Sequence, residues 1–220
     1  MLCNVVLDAV RVTLNDPNDT VYPSDQKIAA LNEGIRALGI YRPDSAAYTT
    51  NLSLVAGTRQ DLPSDCVRLL RAVRNRSGSA GVTIGKAVRL MDVSRLDDRN
   101  QDWHTSTGDA VLEYGYEATN PKVVWVYPGV PSGATNRYLE VFYQRSIPEV
   151  TSGSDSFPLD ETYSVAVKEW MLYALWGGDD DTSPNYSKAL KRQESFFNLL
   201  NVRSQTDAVS PSNDKARSAG

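Results

Sequence analysis

The spacing of apolar residues changes twice along this chain. Up to Leu38, apolar residues recur every three or four positions, as they do on one face of an amphipathic helix. Between about residues 48 and 148, short apolar runs alternate with turn clusters, which is typical of antiparallel strands. The helical spacing returns near Asp160. The sequence therefore predicts an α+β protein with a β-rich module inserted between its second and third helices.

Two helices are predicted before the module. The first covers about residues 2–14, and Asp16 and Pro17 end it. Ser24 can cap the second helix, and Gly39 is its predicted C-terminal stop. The apolar face of the second helix consists of Ile28, Leu31, Ile35 and Leu38.

Five stretches of the module show strand patterns. In the first, Leu52 and Leu54 flank Ser53 before a turn at residues 56–58. Residues 67–74 form an extended run that ends in a turn at residues 77–81. Residues 112–116 alternate between apolar or aromatic side chains and glutamate or glycine. Residues 123–127 are almost continuously apolar, which suits a strand that is buried on both faces. The last alternating run contains Leu139, Val141 and Tyr143.

Two further helices follow the module. Asp160 can cap the third helix, and Gly177 and Gly178 lie at its end. The fourth carries an apolar face of Tyr186, Leu190, Phe197 and Leu200. Beyond Arg203 the chain is rich in Ser, Asp, Asn, Pro, Ala and Gly, which predicts a tail that is mobile until a partner binds it. The predicted parts are a four-helix-bundle-like body (1–46 and 157–202), the β module (47–156) and an extended C-terminal tail (203–220).

The charge and the cysteine content limit which kinds of protein this chain can be. The net charge is −4 and the sequence pI is about 5.1, which argues against wrapping DNA or docking on an anionic membrane. No apolar run has the length of a membrane span, and the first residues lack a basic leader, so we expect a soluble protein made in the cytoplasm. Cys3 and Cys66 lack metal-type or redox-type spacing, which predicts buried free thiols.

The sequence predicts no catalytic residue, cofactor or metal site. His104 is the single histidine, and no nucleophile motif accompanies it, so we expect a loop or packing role. Asp179, Asp180 and Asp181 lack the spaced ligands of a calcium loop and suggest a solvated interhelix loop. A second acidic group, with local ion pairing as its expected role, consists of Asp97, Asp98 and Asp102.

Aromatic residues cluster in the module and in the last helices. The cluster contains Tyr114, Tyr116, Trp125, Tyr127, Tyr138, Phe142, Tyr143, Trp170, Trp176, Phe196 and Phe197. Such residues either fill a core or mark subunit interfaces, where Tyr and Trp are enriched. Both interpretations stay open at this point.

Four segments, in order, carry a family resemblance over most of residues 20–200. They are KIAALNEGIRAL in the second helix, DLPSDCVRLLRAVRN (61–75), EYGYEATNPKVVWVYP (113–128) and the final pair of helices. With these segments the chain resembles the podovirus head-to-tail adaptor family, the tail tubular protein A-like proteins. It departs from that family at residues 177–185, where a more continuous helix connection is expected.

The resemblance implies a structural virion protein of the phage neck rather than an enzyme, made in the host cytoplasm. It implies a dodecameric ring that binds the portal protein above and the tail nozzle, a tail tubular protein B-like protein, below. Tail fibres are a further implied partner, and no membrane or cofactor is involved. Double-stranded DNA would pass through the lumen during ejection without sequence-specific contacts, and an acidic protein suits such passage.

On this hypothesis the helical body forms the ring, and the β module faces outward or toward the nozzle and fibres. The polar tail would order against the portal, as segments that fold on binding do. The candidate interface residues are Trp103, Arg192, Arg203, Lys215 and Arg217.

Three alternatives share the same composition. The first is another neck or tail component, such as a stopper, a nozzle or a tail-completion protein. The second is a ligand-binding β module, in which an exposed Trp103 or Trp125 would stack on a sugar or a base. The third is an enzyme with convergent carboxylates around Asp97, Asp98 and Asp102.

Overall fold

The computed structural model describes residues 1–178 and 184–209, except for the side chains of residues 203, 204 and 206–209. The chain forms two compact units. The helical unit consists of Met1–Ser45 and the described residues from Ile147 onward, and the sheet unit consists of Ala46–Ser146. The α+β prediction is confirmed, since helices precede and follow a sheet-forming segment.

The described residues contain five α-helices, four of them in the helical unit. They are α1 (Cys3–Leu14), α2 (Ser24–Tyr41), α3 (Val93–Arg99), α4 (Ser164–Trp176) and α5 (Pro184–Val209). Fully buried side chains in the helical unit include Leu7, Val10, Leu31, Leu38, Val167, Met171, Leu172 and Phe196. Helices α2 and α4 approach closely at Gly34, where a Cβ would lie 3.2 Å from Cγ1 of Val167.

Three helix ends differ from the sequence prediction. Ser24 is the first residue of α2 rather than its cap, since Pro23 holds the N-cap position and forms no side-chain capping hydrogen bond. Gly39 lies buried inside α2, which continues to Tyr41. Pro43 accounts for the end, because proline disfavours helical backbone in the residue before it. Helix α5 continues to Val209, so the first residues of the predicted tail are helical. The rest of that tail lies outside the described residues.

Asp160 performs the capping role that the sequence predicts, but on a short 3₁₀ turn. Its carboxylate accepts a hydrogen bond of 2.9 Å from the backbone N–H of Thr162. The turn Glu161–Tyr163 leads directly into α4.

The sheet unit contains two four-stranded sheets. Its strands are β1 (Ala47–Ser53), β2 (Gly57–Asp61), β3 (Cys66–Ser77), β4 (Thr83–Ala87), β5 (Arg89–Leu90), β6 (Glu113–Gly115), β7 (Val123–Val130) and β8 (Arg137–Arg145). The first sheet has the order β1-β8-β3-β4 and the second has the order β2-β7-β6-β5. One core fills the space between them, with Leu69, Leu139 and Val141 from the first sheet and Val124 and Val126 from the second.

The sheets are largely antiparallel, as predicted, and one short strand pair, β5 and β6, is parallel. A parallel pair needs a crossover connection, and residues 91–112 supply it. This connection contains α3 and a 3₁₀ turn, Trp103–Thr105, which the sequence did not predict. Helix α3 is too short to show a periodic apolar pattern, although Asp92 caps it by accepting from Ser94 N–H.

Strand β7 is covered on both faces, as its apolar run predicts. Val124 and Val126 face the core between the sheets, whereas Trp125 and Tyr127 alternate onto the other face. On that face the indole of Trp103 packs edge-on against both rings, with centroid distances of 6.1 and 6.5 Å.

Both cysteines are free, fully buried thiols, which confirms the sequence prediction. Burial raises the pKa of the Cys3 and Cys66 thiols above the ordinary value. The reactive thiolate is therefore disfavoured at both positions.

A buried lysine joins α2 to the loop that follows α1. The ammonium of Lys27 lies 2.9 Å from the carboxylate of Asp16 and 2.6 Å from that of Asp19. Asp19 also accepts a two-pronged pair of hydrogen bonds from Arg11, both 2.8 Å long. Lys27 has no exposed side-chain surface, so these carboxylates provide the charge that its burial requires.

The two aspartates of this cluster are strongly stabilised in their ionised form. The backbone N–H of Tyr22 and the ammonium of Lys27 hold the pKa of the Asp16 carboxyl well below its usual range. The guanidinium of Arg11, followed by Lys27, lowers the pKa of Asp19 in the same way.

We predict that Lys27→Met lowers the free energy of unfolding by about 3–5 kcal/mol, because it leaves a buried carboxylate without its cation. Arg36→Met is the matched control, since the Arg36 side chain is 64% exposed and lies 3.6 Å from Glu149. The control should change stability by less than about 0.5 kcal/mol. Urea unfolding at neutral pH measures both, and equal effects would contradict the role of Lys27.

The same cluster predicts a loss of stability in acid. A carboxyl whose pKa is lowered on folding stabilises the folded state above its unfolded pKa of about 4, and this contribution is lost as the pH falls further. We expect the wild-type free energy of unfolding to fall below about pH 4 and Asp19→Asn to show a shallower fall. Urea unfolding from pH 3 to pH 7 measures this, and identical slopes would contradict it.

Candidate assembly surfaces

An apolar stripe lies on the solvent side of α1. Leu2, Val5, Ala9 and Val12 follow one another at helical spacing and are exposed, Val12 to 81%. Val165 of α4, which is 52% exposed, lines a shallow groove beside Val5 and Ala9. We call these five residues the α1 stripe. Exposed apolar residues grouped in this way are typical of protein interaction sites.

A basic groove lies where α4 meets α5. Trp176 forms its floor, and Lys188, Lys191 and Arg192 come from one face of α5. Lys188 Nζ and Arg192 Cζ lie 5.7 and 5.8 Å from the centre of the Trp176 ring. Arg192 also pairs with Glu169 at 3.0 Å. The groove can therefore hold an anionic side chain of a partner beside an aromatic ring.

Strand β3 carries four arginines on one face of the first sheet. Three register shifts interrupt its pairing with β8, between Cys66 and Arg68, Leu69 and Arg71, and Ala72 and Arg74. Each shift is a β-bulge that adds one residue to β3, so side chains three apart in sequence point to the same side. The arginines lie opposite every second residue of β8: Arg68 opposite Gln144, Arg71 opposite Phe142, Arg74 opposite Glu140 and Arg76 opposite Tyr138.

This arginine face lies on the outer side of the first sheet. The β8 residues that alternate with its partners are Leu139, Val141 and Tyr143, and these belong to the core between the sheets. Glu140 lies between two of the arginines, with its Oε2 2.6 Å from Arg76 Nε and 3.2 Å from Arg74 Nε. We call Arg68, Arg71, Arg74 and Arg76 the arginine face.

The outer side of the second sheet is covered instead by α3 and the turn after it. Leu96 and Trp103 are both 1% exposed there, and Trp103 Nε1 donates a 2.7 Å hydrogen bond to Asp97. The solvent side of this segment carries the exposed residues Asp92, Asp97, Asp98 and Asp102, together with Arg95 and Arg99. We call residues 92–102 the acidic cover, since it has four carboxylates and two guanidinium groups.

A cavity of about 550 Å³ opens between the sheets near Leu54 and Val111. Arg76, Lys86 and Arg137 are among its lining residues. Arg137 is already engaged, since it donates a 3.0 Å hydrogen bond to the carbonyl oxygen of Gly108.

The part of the chain that the structure describes contains no group of three or more His, Cys, Asp or Glu residues that could hold a metal ion. Within the same residues, no helix combines the length and apolar character needed to span a membrane.

The family model described as SU10 adaptor protein matches residues 4–216, which is nearly the whole chain. The chain belongs to the SU10 adaptor protein family. None of the curated proteins matches its sequence significantly.

The protein is therefore a structural head-to-tail adaptor of a bacteriophage, and its family is not a class of enzymes. Membership implies a component of the virion that contacts other head and tail components. The resemblance seen in the sequence is thus confirmed at the level of the adaptor.

The structure of the adaptor places Trp103 in the interior. Its indole packs on Trp125 and stacks on His104 with a centroid distance of 3.7 Å. Trp103 therefore lacks the exposed surface that an interface or ligand-stacking role requires. Its ring instead anchors the acidic cover to the second sheet. His104 has the expected packing role, with Nδ1 3.0 Å from the Thr58 hydroxyl.

The other candidate interface residues of the adaptor lie in or beyond α5. Arg192 is 36% exposed at the basic groove, which brings it together with Lys188 and Lys191. Arg203 lies in α5, but its side chain is outside the described residues, as are Lys215 and Arg217. Asp179, Asp180 and Asp181 are also outside the described residues.

Sequence reasoning missed the arginine face of the adaptor. The signal was present in the segment RLLRAVRNR (68–76), in which arginines recur at intervals of three, three and two. In a regular strand this spacing would place the arginines on both faces. Three bulges bring them onto one face, and a single sequence does not show bulges.

Proposed function

We propose that the adaptor forms a ring that joins the portal protein to the tail nozzle and lets double-stranded DNA pass through its lumen. The ring is a dodecamer of the tail tubular protein A-like type found in podoviruses. The helical unit forms the ring, and the sheet unit faces outward or toward the nozzle and fibres. The sequence resemblance and the adaptor family support this proposal.

The α1 stripe is the observation that carries the ring. Val5, Val12 and Val165 are each more than half exposed in the single chain, although their neighbours Val6, Leu7 and Val10 are buried. Burial of apolar surface contributes about 25 cal/mol per Å², so contact with another subunit would stabilise this side of the helix. A ring supplies such a contact to every copy.

The charge of the chain is compatible with DNA passage. A protein that neutralises many phosphates binds DNA tightly, in proportion to the counterions released. A net charge of −4 opposes such retention. DNA would therefore move past the ring rather than remain bound to it.

We predict that the double variant Val5→Ser with Val165→Ser lowers the yield of ring-sized particles on the portal at least tenfold, because both substitutions remove apolar contact area. Mass photometry of the adaptor, alone and with the portal protein of the same phage, measures this. Val21→Ser with Val82→Ser is the matched control, since these valines are 70% and 71% exposed outside the stripe. Equal assembly of both double variants would contradict the role of the stripe.

The C-terminal segment is proposed to order against the portal, as polar segments that fold on binding do. Since α5 runs to Val209, a truncation after this residue leaves the helix complete. We expect the truncated adaptor to keep its circular dichroism spectrum and its unfolding midpoint but to lose portal binding. Portal binding equal to that of the full chain would contradict this role.

A further inference from the structure

We propose that the arginine face of one adaptor copy contacts the acidic cover of a second copy. This inference adds detail to the proposed ring. It rests on that proposal only in requiring that copies of the chain lie side by side. It names the two surfaces of the sheet unit that would join, which lie on the outer sides of opposite sheets.

The arginine face has unused positive charge. Among the described residues, no carboxylate pairs with Arg68 or Arg71, whereas Arg74 and Arg76 share the single carboxylate of Glu140. Neighbouring arginines lie opposite alternate residues of β8, so they are spaced about 7 Å apart along the sheet. The result is a row of guanidinium groups held by a rigid strand pair.

The acidic cover has unused negative charge. Asp97 is held by the Trp103 indole and Asp92 caps α3. Asp98 and Asp102 are exposed, and within the described part of the chain neither forms an ion pair. Arg99 is 59% exposed and lies 3.5 Å from Glu113 and 5.7 Å from the Tyr127 ring. The four carboxylates of the cover outnumber the guanidinium groups of Arg95 and Arg99, so its solvent side has net negative charge.

The two surfaces lie on opposite sides of one sandwich. The arginine face is on the outer side of the first sheet, and the acidic cover lies over the outer side of the second. When two complementary patches occupy different sides of a subunit, their contact is heterologous, and repeated contacts of this kind close into a ring when the rotation permits. The charge on each copy is then matched by the next copy.

The composition of the arginine face favours a protein partner over a nucleic acid. Phe142, which is 37% exposed, lies opposite Arg71, and Tyr138 lies opposite Arg76. Arginine with aromatic residues is the composition enriched at protein interfaces. Glu140 lies within the row, where it would repel a phosphate backbone but can orient two guanidinium groups toward aspartates.

The test uses two charge-reversed full-length variants. The face variant carries Arg68→Glu and Arg71→Glu, and the cover variant carries Asp98→Lys and Asp102→Lys. We expect each variant alone to associate at least tenfold more weakly than the wild type, because like charges then meet at every contact. Sedimentation velocity at low ionic strength measures free association, and mass photometry on the portal measures assembly.

Mixing supplies the decisive comparison. In an equimolar mixture the acidic face of one variant meets the basic cover of the other, and the reverse contact is wild type on both sides, so association should return. A chain with all four substitutions keeps the wild-type net charge and should also associate. The control Arg68→Lys with Arg71→Lys keeps both charges and should assemble on the portal.

Several results would overturn the inference. If both variants assemble like the wild type, or if mixing restores nothing, the two surfaces do not meet. Salt-dependent binding of duplex DNA that only the face variant loses, with association unchanged, would identify a nucleic-acid surface instead. A wild type that assembles on the portal while the inference fails leaves the proposed ring intact. A wild type that assembles neither alone nor on the portal overturns both.

Discussion

The burial of the Lys27 ammonium is the constraint on which the helical unit depends. An ammonium without solvent must be paired, and its partners Asp16 and Asp19 lie in the loop that follows α1. This pairing ties α2 to that loop, and Arg11 extends it to α1 through its two hydrogen bonds to Asp19. Val6, Leu7 and Val10 face the core on one side of α1, so the α1 stripe lies on the solvent side. The helical unit thus combines a charged cluster in its interior with an apolar surface that is exposed in the single chain.

Elements with a regular apolar pattern could be predicted from the sequence, whereas features that interrupt such a pattern could not. The run at residues 123–127 indicated a strand covered on both faces, and β7 is one. Asp16 and Lys27 were missed as partners because they are eleven residues apart and only the tertiary fold joins them. The arginine face depends on bulges, and α3 is a single short helix, so neither leaves a periodic pattern.

The aromatic residues show why the candidate site could be predicted only in part. Composition left Trp125 open to either a core or an interface role, because both roles favour large rings, whereas Trp103 was predicted at an interface. The structure places Trp103 beneath the acidic cover, where its Nε1 satisfies Asp97. Arg192, in contrast, stands beside the Trp176 ring at a groove that is open to a partner. The exposed fraction of the side chain distinguishes Trp103 from Arg192, and this fraction depends on the tertiary fold.

The proposed passage of DNA through the ring is in conflict with an exposed row of arginines on β3, and the proposed contact between copies would remove this conflict. Four arginines in a row would retain phosphates if they lined the channel, since each phosphate contact adds to the counterion release that stabilises binding. Glu140 reduces this charge, and a neighbouring acidic cover would remove the rest from solvent. The contact that joins two copies would then also keep the arginines from contacting DNA. Association and free passage of DNA would thus depend on one pairing of charges.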